Sequence, residues 1–397
     1  MGGIMLFVFK EGSRNAFDNE RKEAVFRRNY QRAFHLQLPG MDAVEDLYRL
    51  LDAGELEKLK TFLIKELVEK KVFHRFRFLG KRYLIAIDGT GVASYASNYC
   101  GECTSKTSSK TGKTTYYHHV LEAKLVTSNG MSVSLLTEWI RNENGKEYDK
   151  QDCELTAFKR LAVRLKQLYP RLPVVILADG LYANAPFFQI CRENGWDFIV
   201  SFKDGNLPSV HQVIALLPGS AKLSRKRFIP GKEGFIREQS FEWINGIDYC
   251  GFTLSVITCR EIKTWIKSKK SEEKNFTHIS SIRADQDNYY HVSDSGRMRW
   301  NIENSFDYLK EHGYNLGHKF SRVSFQALKN YHQSMMLGHL INQFVEKSVE
   351  IAALLARDSK LTIIHLWKKL NSYLSEQEMN TQEYDQFVRK RNQIRLA

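Results

Sequence analysis

The chain has few of the features that mark an exported or membrane-bound protein. Its 397 residues include six cysteines, and only Cys100 and Cys103 stand close together, which gives no disulfide framework. No stretch approaches the roughly 18 consecutive apolar residues that would signal a membrane span. The short apolar run at the start, MGGIMLFVFK, has no basic flank before it. Neither export nor membrane insertion is therefore expected, and a reducing cytoplasm fits. Acidic charge is also in deficit: 45 Asp and Glu face 59 Lys and Arg, for a formal charge of +14 and a pI near 9.3. Such a balance favours polyanions, because each neutralised phosphate releases counterions, so nucleic acid is the leading partner. A merely soluble basic protein would share this composition. Internal repeats are absent. So is the third glycine of a dinucleotide fingerprint: after Gly89 and Gly91 in YLIAIDGTGVAS the chain enters a Ser/Lys/Cys loop. No helix follows there to hold a pyrophosphate, which disfavours a nicotinamide or nucleotide cofactor.

What the chain does have is patterning. Residues 15–80 repeat leucines at spacings of three and four among charges, which predicts an amphipathic helical region. KRYLIAIDGTGVAS then reads as a strand whose glycines form a turn ending it after Asp88. Beyond the polar loop of residues 97–115, YYHHVLEAKLVTS and SVSLLTEWI read as two further strands of an antiparallel meander. A helix is predicted from about Cys153 to Tyr169 with Asp152 as its N-cap. LPVVILADG follows, apolar at every position from Val174 to Ala178, as a central strand buried on both faces should be. A helix over NAPFFQICRENG and a strand over WDFIVSFK complete an α/β layer pattern. The expected organisation is a helical N-terminal region 1–80, a catalytic core in two parts, 81–204 and 296–320, a β-rich insertion 205–295 between them, and a helical C-terminal region 321–397.

Several residues carry chemistry. If YLIAI and VVILA are parallel neighbours, Asp88 and Asp179 emerge at one sheet edge, where open α/β folds place their sites. Two carboxylates there repel unless a cation lies between them, and a pair of Mg²⁺ ions about 4 Å apart suits phosphoryl transfer. The helix GRMRWNIENSFDYLK offers a third acid, Glu303. Arg299, Glu303 and Lys310 fall within about 40° of one another on one face, beside the apolar stripe of Ile302, Phe306 and Leu309. An ordinary i,i+4 ion pair of Arg299 with Glu303 accounts for part of this spacing equally well. Asp152 and Glu154 read as capping residues, with a metal role as the alternative. Cys100 and Cys103 form a CxxC that His118, His119 or Cys153 would complete as a zinc site; unligated loop thiols are the competing reading. Of two basic runs, KLSRKR with Lys222, Arg225, Lys226 and Arg227 is the better DNA contact, since KSKKSEEK is half neutralised by Glu272 and Glu273.

The order IAIDGT, VILADG, RWNIENSFDYLK resembles the DDE transposases of bacterial insertion sequences, in the group whose last motif reads Y-x2-R-x3-E-x6-K. Arg299, Glu303 and Lys310 match it in register; the tyrosine does not, since position 296 is Gly. The resemblance spans about residues 81–320. It implies an RNase H-like mixed sheet flanked by helices, interrupted by a β-rich insertion, for which the separation of 124 positions from Asp179 to Glu303 leaves room. It further implies that Asp88, Asp179 and Glu303 hold two Mg²⁺ or Mn²⁺ ions, and that Arg299 and Lys310 contact phosphates of the transposon end. Trp300 or Trp243 would stack on an extruded base, unless each is simply a core residue. Implied partners are DNA with terminal inverted repeats, target DNA and a second copy of the chain. Residues 1–80 are assigned to end binding and 321–397 to dimerisation. Two other readings stay open: a stand-alone metal-dependent nuclease of the same fold, and a derivative that binds DNA without cutting it.

Overall fold

A computed structural model describes all residues except 99, 143–151, 220–221, 231–233, 359 and 391–394. In chain order the helices α1 (Gly2–Val8), α2 (Arg14–Lys22), α3 (Ala24–Phe34), α4 (Met41–Leu50) and α5 (Ala53–Glu69) precede the strands β1 (Tyr83–Tyr95), β2 (Thr104–Thr107), β3 (Thr114–Val126) and β4 (Ser132–Ile140). Next come α6 (Glu154–Leu168), β5 (Val174–Ala178), α7 (Ala185–Asn194), β6 (Asp197–Ser201) and α8 (Pro208–Leu216). Strands β7 (Leu223–Pro230), β8 (Phe235–Tyr249), β9 (Phe252–Trp265) and β10 (Ser271–Ser280) follow. Helices α9 (Tyr289–Arg297), α10 (Trp300–Glu311), α11 (Phe325–Glu346), α12 (Val349–Arg357), α13 (Ile363–Glu376) and α14 (Thr381–Arg389) end the chain. No described helix is long and apolar enough to cross a membrane.

The sheet core is the one the apolar runs require. β1 pairs antiparallel with β3, β3 antiparallel with β4, β5 parallel with β1, and β6 parallel with β5. A parallel pair needs a crossover, and α6 and α7 supply the two, burying Phe158, Leu161, Leu165, Phe187 and Phe188 against Ile85, Ile87 and Ile176. On the other face Leu84, Ala86, Val175 and Leu177 meet Ile302, Phe306 and Leu309 of α10, with α11 and α1 stacked beyond them. Helices on both faces of a mixed sheet in this order make the RNase H-like arrangement.

The β-rich segment itself joins the core sheet, because β10 pairs with β6 and carries β9, β8 and β7 outward in one ten-stranded sheet. The structure departs from the sequence-based expectations in three places. β1 does not end after Asp88: Gly89 and Gly91 lie within the strand, opposite Leu121 and His119, and it runs on to Tyr95. The predicted glutamate helix is two helices, broken at Met298–Arg299. Asp152 caps nothing: Cys153 is the N-cap of α6, and the Asp152 carboxylate instead accepts from Arg160 Nη2 at 2.6 Å.

The terminal regions also join. The opening apolar run is helix α1, with Leu6 and Phe7 fully buried, and Asn342 Nδ2 of α11 donates to the carbonyls of Phe7 and Val8. Helices α1, α4 and α5 thus pack against α11, and α5 and α11 also contact β4.

Candidate active site

Parallel pairing of β1 with β5 brings Asp88 and Asp179 to one end of the sheet. Each carboxylate is held by one backbone donor. Gly89 N–H reaches Asp88 Oδ1 at 3.0 Å, and Leu181 N–H reaches Asp179 Oδ1 at 2.9 Å, opening a single helical turn. Burying the Ile302, Phe306 and Leu309 stripe of α10 turns Glu303, in the first turn, toward the same end. Arg299 lies between. Its Nη1 is 2.6 Å from Glu303 Oε1, without the alignment of a hydrogen bond, and 3.8 Å from Asp88 Oδ2, with the side chain only 8% exposed. Burial raises the Asp88 carboxyl to about 6, with Glu303 and Asp179 adding to the rise and Arg299 opposing it.

A fourth carboxylate arrives from the opposite face of the sheet. Glu154, the first residue of α6, reaches over β1 so closely that a Cβ built on Gly89 would lie 2.4 Å from its Oε1. Gly89 is small because the space beside Asp88 belongs to Glu154. Burial, then the neighbouring Asp88 and Asp179, push the Glu154 carboxyl up to about 7. The sequence marks Glu154 as a residue near a helix start with a metal role only as the alternative; its place in the cluster depends on how α6 packs against β1.

The donor set is four carboxylates, whose hard oxygen ligands suit divalent magnesium or manganese, with the buried Arg299 guanidinium beside Asp88 and Glu303. As the side chains stand, no three of these acids bring ligand oxygens within 4.8 Å of one another among the described residues, so holding an ion requires them to draw inward.

Compared with models of protein families, the chain matches the transposase DDE domain over residues 79–331. The protein belongs to the DDE transposase family. The matched segment runs from just before β1 into α11 and contains Asp88, Asp179 and Glu303. The same comparison with curated proteins returned no match.

The remaining sequence-predicted residues of this transposase fall into three groups. Near the acids, Trp300 is 44% exposed and meets Phe276 edge-on at 5.8 Å, while Lys310 lies at the surface, 3.3 Å from Asp307. Trp243, by contrast, is buried and stacked on Tyr289 with centroids 5.0 Å apart, so it is a core residue and not a platform for a base. In the basic run, Lys222, Arg225 and Lys226 are exposed, but Arg227 turns back to Asp294 at 2.8 Å and to Gln239. Third, Cys100 and Cys103 meet His118; His119 alternates to the opposite face of β3, and Cys153 is exposed at the start of α6. Gly296, where the motif that the sequence resembles has tyrosine, leaves no room for a side chain: a Cβ there would lie 2.4 Å from the buried His278 ring.

A cavity of about 740 Å³ adjoins the acids through Arg299, although none of the four acids lines it. Its charged lining includes Lys203 and Lys222, Lys274 paired with Glu272 and Arg297 paired with Glu261, each at 2.9 Å, and the acids Asp204 and Glu242; Trp300 stands at the same wall. The sequence could not show this groove, since β6, β8, β9, β10 and α9 each contribute to it.

Proposed function

We propose that the protein is an insertion-sequence transposase of the Y-x2-R-x3-E-x6-K group that cleaves and joins DNA strands at the element's ends by two-metal-ion phosphoryl transfer. The observation that carries this reading is the approach of Asp179 and Glu303 to Asp88 at one sheet edge, with Arg299 between Asp88 and Glu303. Divalent magnesium or manganese, held by these three acids with Glu154 beside them, would supply activation of the attacking oxygen and charge stabilisation at the leaving one.

The chain's own residues do the rest. In the first step water attacks an end phosphodiester, one P–O bond forms, and the P–O3′ bond breaks to leave a 3′-hydroxyl. In the second, that hydroxyl attacks another phosphodiester, again exchanging one P–O bond for another, so no outside energy source is needed. The protein positions and screens charge in both steps. Arg299, shared between the acids and the groove, is placed to meet a phosphate of the cleaved strand. Lys203 and Lys222 would provide electrostatic lining for that strand, and Trp300 offers an exposed ring against which an unstacked base can rest. Two ends must be held together, so the working species is a dimer on DNA carrying terminal inverted repeats.

The test uses the DNA that flanks the gene. Incubated with the purified protein and Mg²⁺ or Mn²⁺, that DNA should be nicked at the borders of inverted repeats to leave 3′-hydroxyl ends, and chelation with EDTA should stop it. Nicking that is equally fast in EDTA, or scattered without regard to the repeats, would contradict the proposal.

A further inference from the structure

Away from the acids, three soft ligands converge on one point. Cys100 Sγ and Cys103 Sγ are 3.6 Å apart, and each is 3.4 Å from His118 Nε2. Zinc bound tetrahedrally with ordinary Zn–S and Zn–N distances sets sulfur–sulfur edges of about 3.8 Å and sulfur–nitrogen edges of about 3.6 Å. Three independent edges agree with those values to within about 0.2 Å, the tolerance a metal site allows. The two thiols are not bonded to each other.

The fold builds this convergence deliberately. Cys103 N–H donates to Cys100 O at 3.2 Å, a tight turn that points both sulfurs the same way. Cys103 leads straight into β2, whose first residue, Thr104, pairs with Tyr117 of β3, so His118 is delivered beside the turn. Phe325 stacks on the His118 ring with centroids 4.0 Å apart at 9°, and Tyr95 and Trp139 meet it edge-on. Those rings fix the imidazole plane. Cys103 and His118 are both buried, which is unlike the loose surface thiols of the competing reading.

We propose that Cys100, Cys103 and His118 bind a zinc ion, and that the ion ties the loop between β1 and β2 to β3. Binding exchanges two thiol protons for one divalent cation, leaving the site neutral, with His118 coordinating through Nε2. Magnesium does not compete, because thiolate and imidazole ligands select softer ions. His118 faces Ala93 across the sheet, five residues beyond Asp88 on β1, so the ion lies beside the far end of the catalytic strand. This proposal is independent of whether the protein transposes DNA.

Full-length protein purified under reducing conditions and supplied with zinc should retain close to one zinc per chain by elemental analysis after gel filtration in excess Mg²⁺. Cys250→Ser, at an exposed cysteine elsewhere, should leave that ratio unchanged, whereas Cys100→Ser with Cys103→Ser should reduce it at least tenfold. Should the double variant fail to fold, metal-free wild-type protein answers alone. Titrated with Co²⁺, it should develop a thiolate-to-cobalt charge-transfer absorption that saturates near one equivalent and is displaced by Zn²⁺; removing the metal should speed proteolysis in the loop between β1 and β2. The proposal is overturned if reduced, folded wild-type protein retains no zinc and shows no charge-transfer absorption, or if the folded double variant retains zinc at the wild-type ratio.

Discussion

At the residue scale, the acids and their partners set the chemistry. Asp88 and Glu154 carry carboxyls raised to about 6 and about 7, so in the metal-free protein their protonated forms favour folding. That contribution is fully present below the unfolded values near pH 4 and is lost as pH rises through about 6 to 7. A divalent ion requires the ionised forms, so Mg²⁺ should raise the melting temperature little at about pH 5 and clearly more at about pH 8. Thermal scans with and without Mg²⁺ at the two pH values check this, and an equal shift at both would contradict it. Glu154→Gln keeps the shape of the side chain and removes its charge, and should weaken Mg²⁺ stabilisation while leaving the fold intact. Gly89→Ala should do the same by a steric route, because the new methyl displaces the end of a flexible glutamate and no backbone. Titration calorimetry with Mg²⁺ reads both variants. Asp88, Asp179 and Glu303 were legible in the sequence because each stands in its own short motif. Glu154 was legible only as a helix-start residue with a metal role as the alternative, since nothing local says that α6 passes over Gly89. The choice of His118 over His119 was equally hidden, because only the pleat of β3 decides which ring meets the thiols.

At the element scale, the run Val174–Ala178 was readable as a central strand, being apolar on both faces, and it lies between β1 and β6 as that pattern demands. The pairing of β10 with β6 was not readable, since strand partners far apart in sequence leave no periodic trace. The break between α9 and α10 was also missed, though it matters: Arg299 sits at the N-cap of α10 and Glu303 in its first turn, where helix geometry favours a carboxylate. Helix α11 gave no amphipathic stripe because it is buried almost all round, against α1, α4 and α5 as well as the sheet. α1 is part of that packing. Phe7→Ala should therefore cost about 3–5 kcal/mol, as a fully buried phenylalanine does, measured by urea denaturation. A loss below about 1 kcal/mol would mean that α1 is not docked as described.

At the scale of the whole molecule, α1, α4 and α5 of the N-terminal region pack against α11 of the C-terminal region. Deleting residues 1–80 should expose the α11 surface and yield insoluble protein, where an independent N-terminal module would leave a soluble remainder. The net charge of +14 is expected to express itself in the groove beside Arg299, and binding to end DNA should weaken steeply as salt rises. The central claim is that Asp88, Asp179 and Glu303 act as one catalytic set, and single-turnover strand cleavage of end DNA in Mg²⁺ by the wild-type protein and by Asp88→Ala, Asp179→Ala and Glu303→Ala tests it most directly. The account predicts that each variant binds the DNA as the wild type does and cleaves it at least about a hundredfold more slowly. Cleavage at the wild-type rate by any one of the three would contradict it.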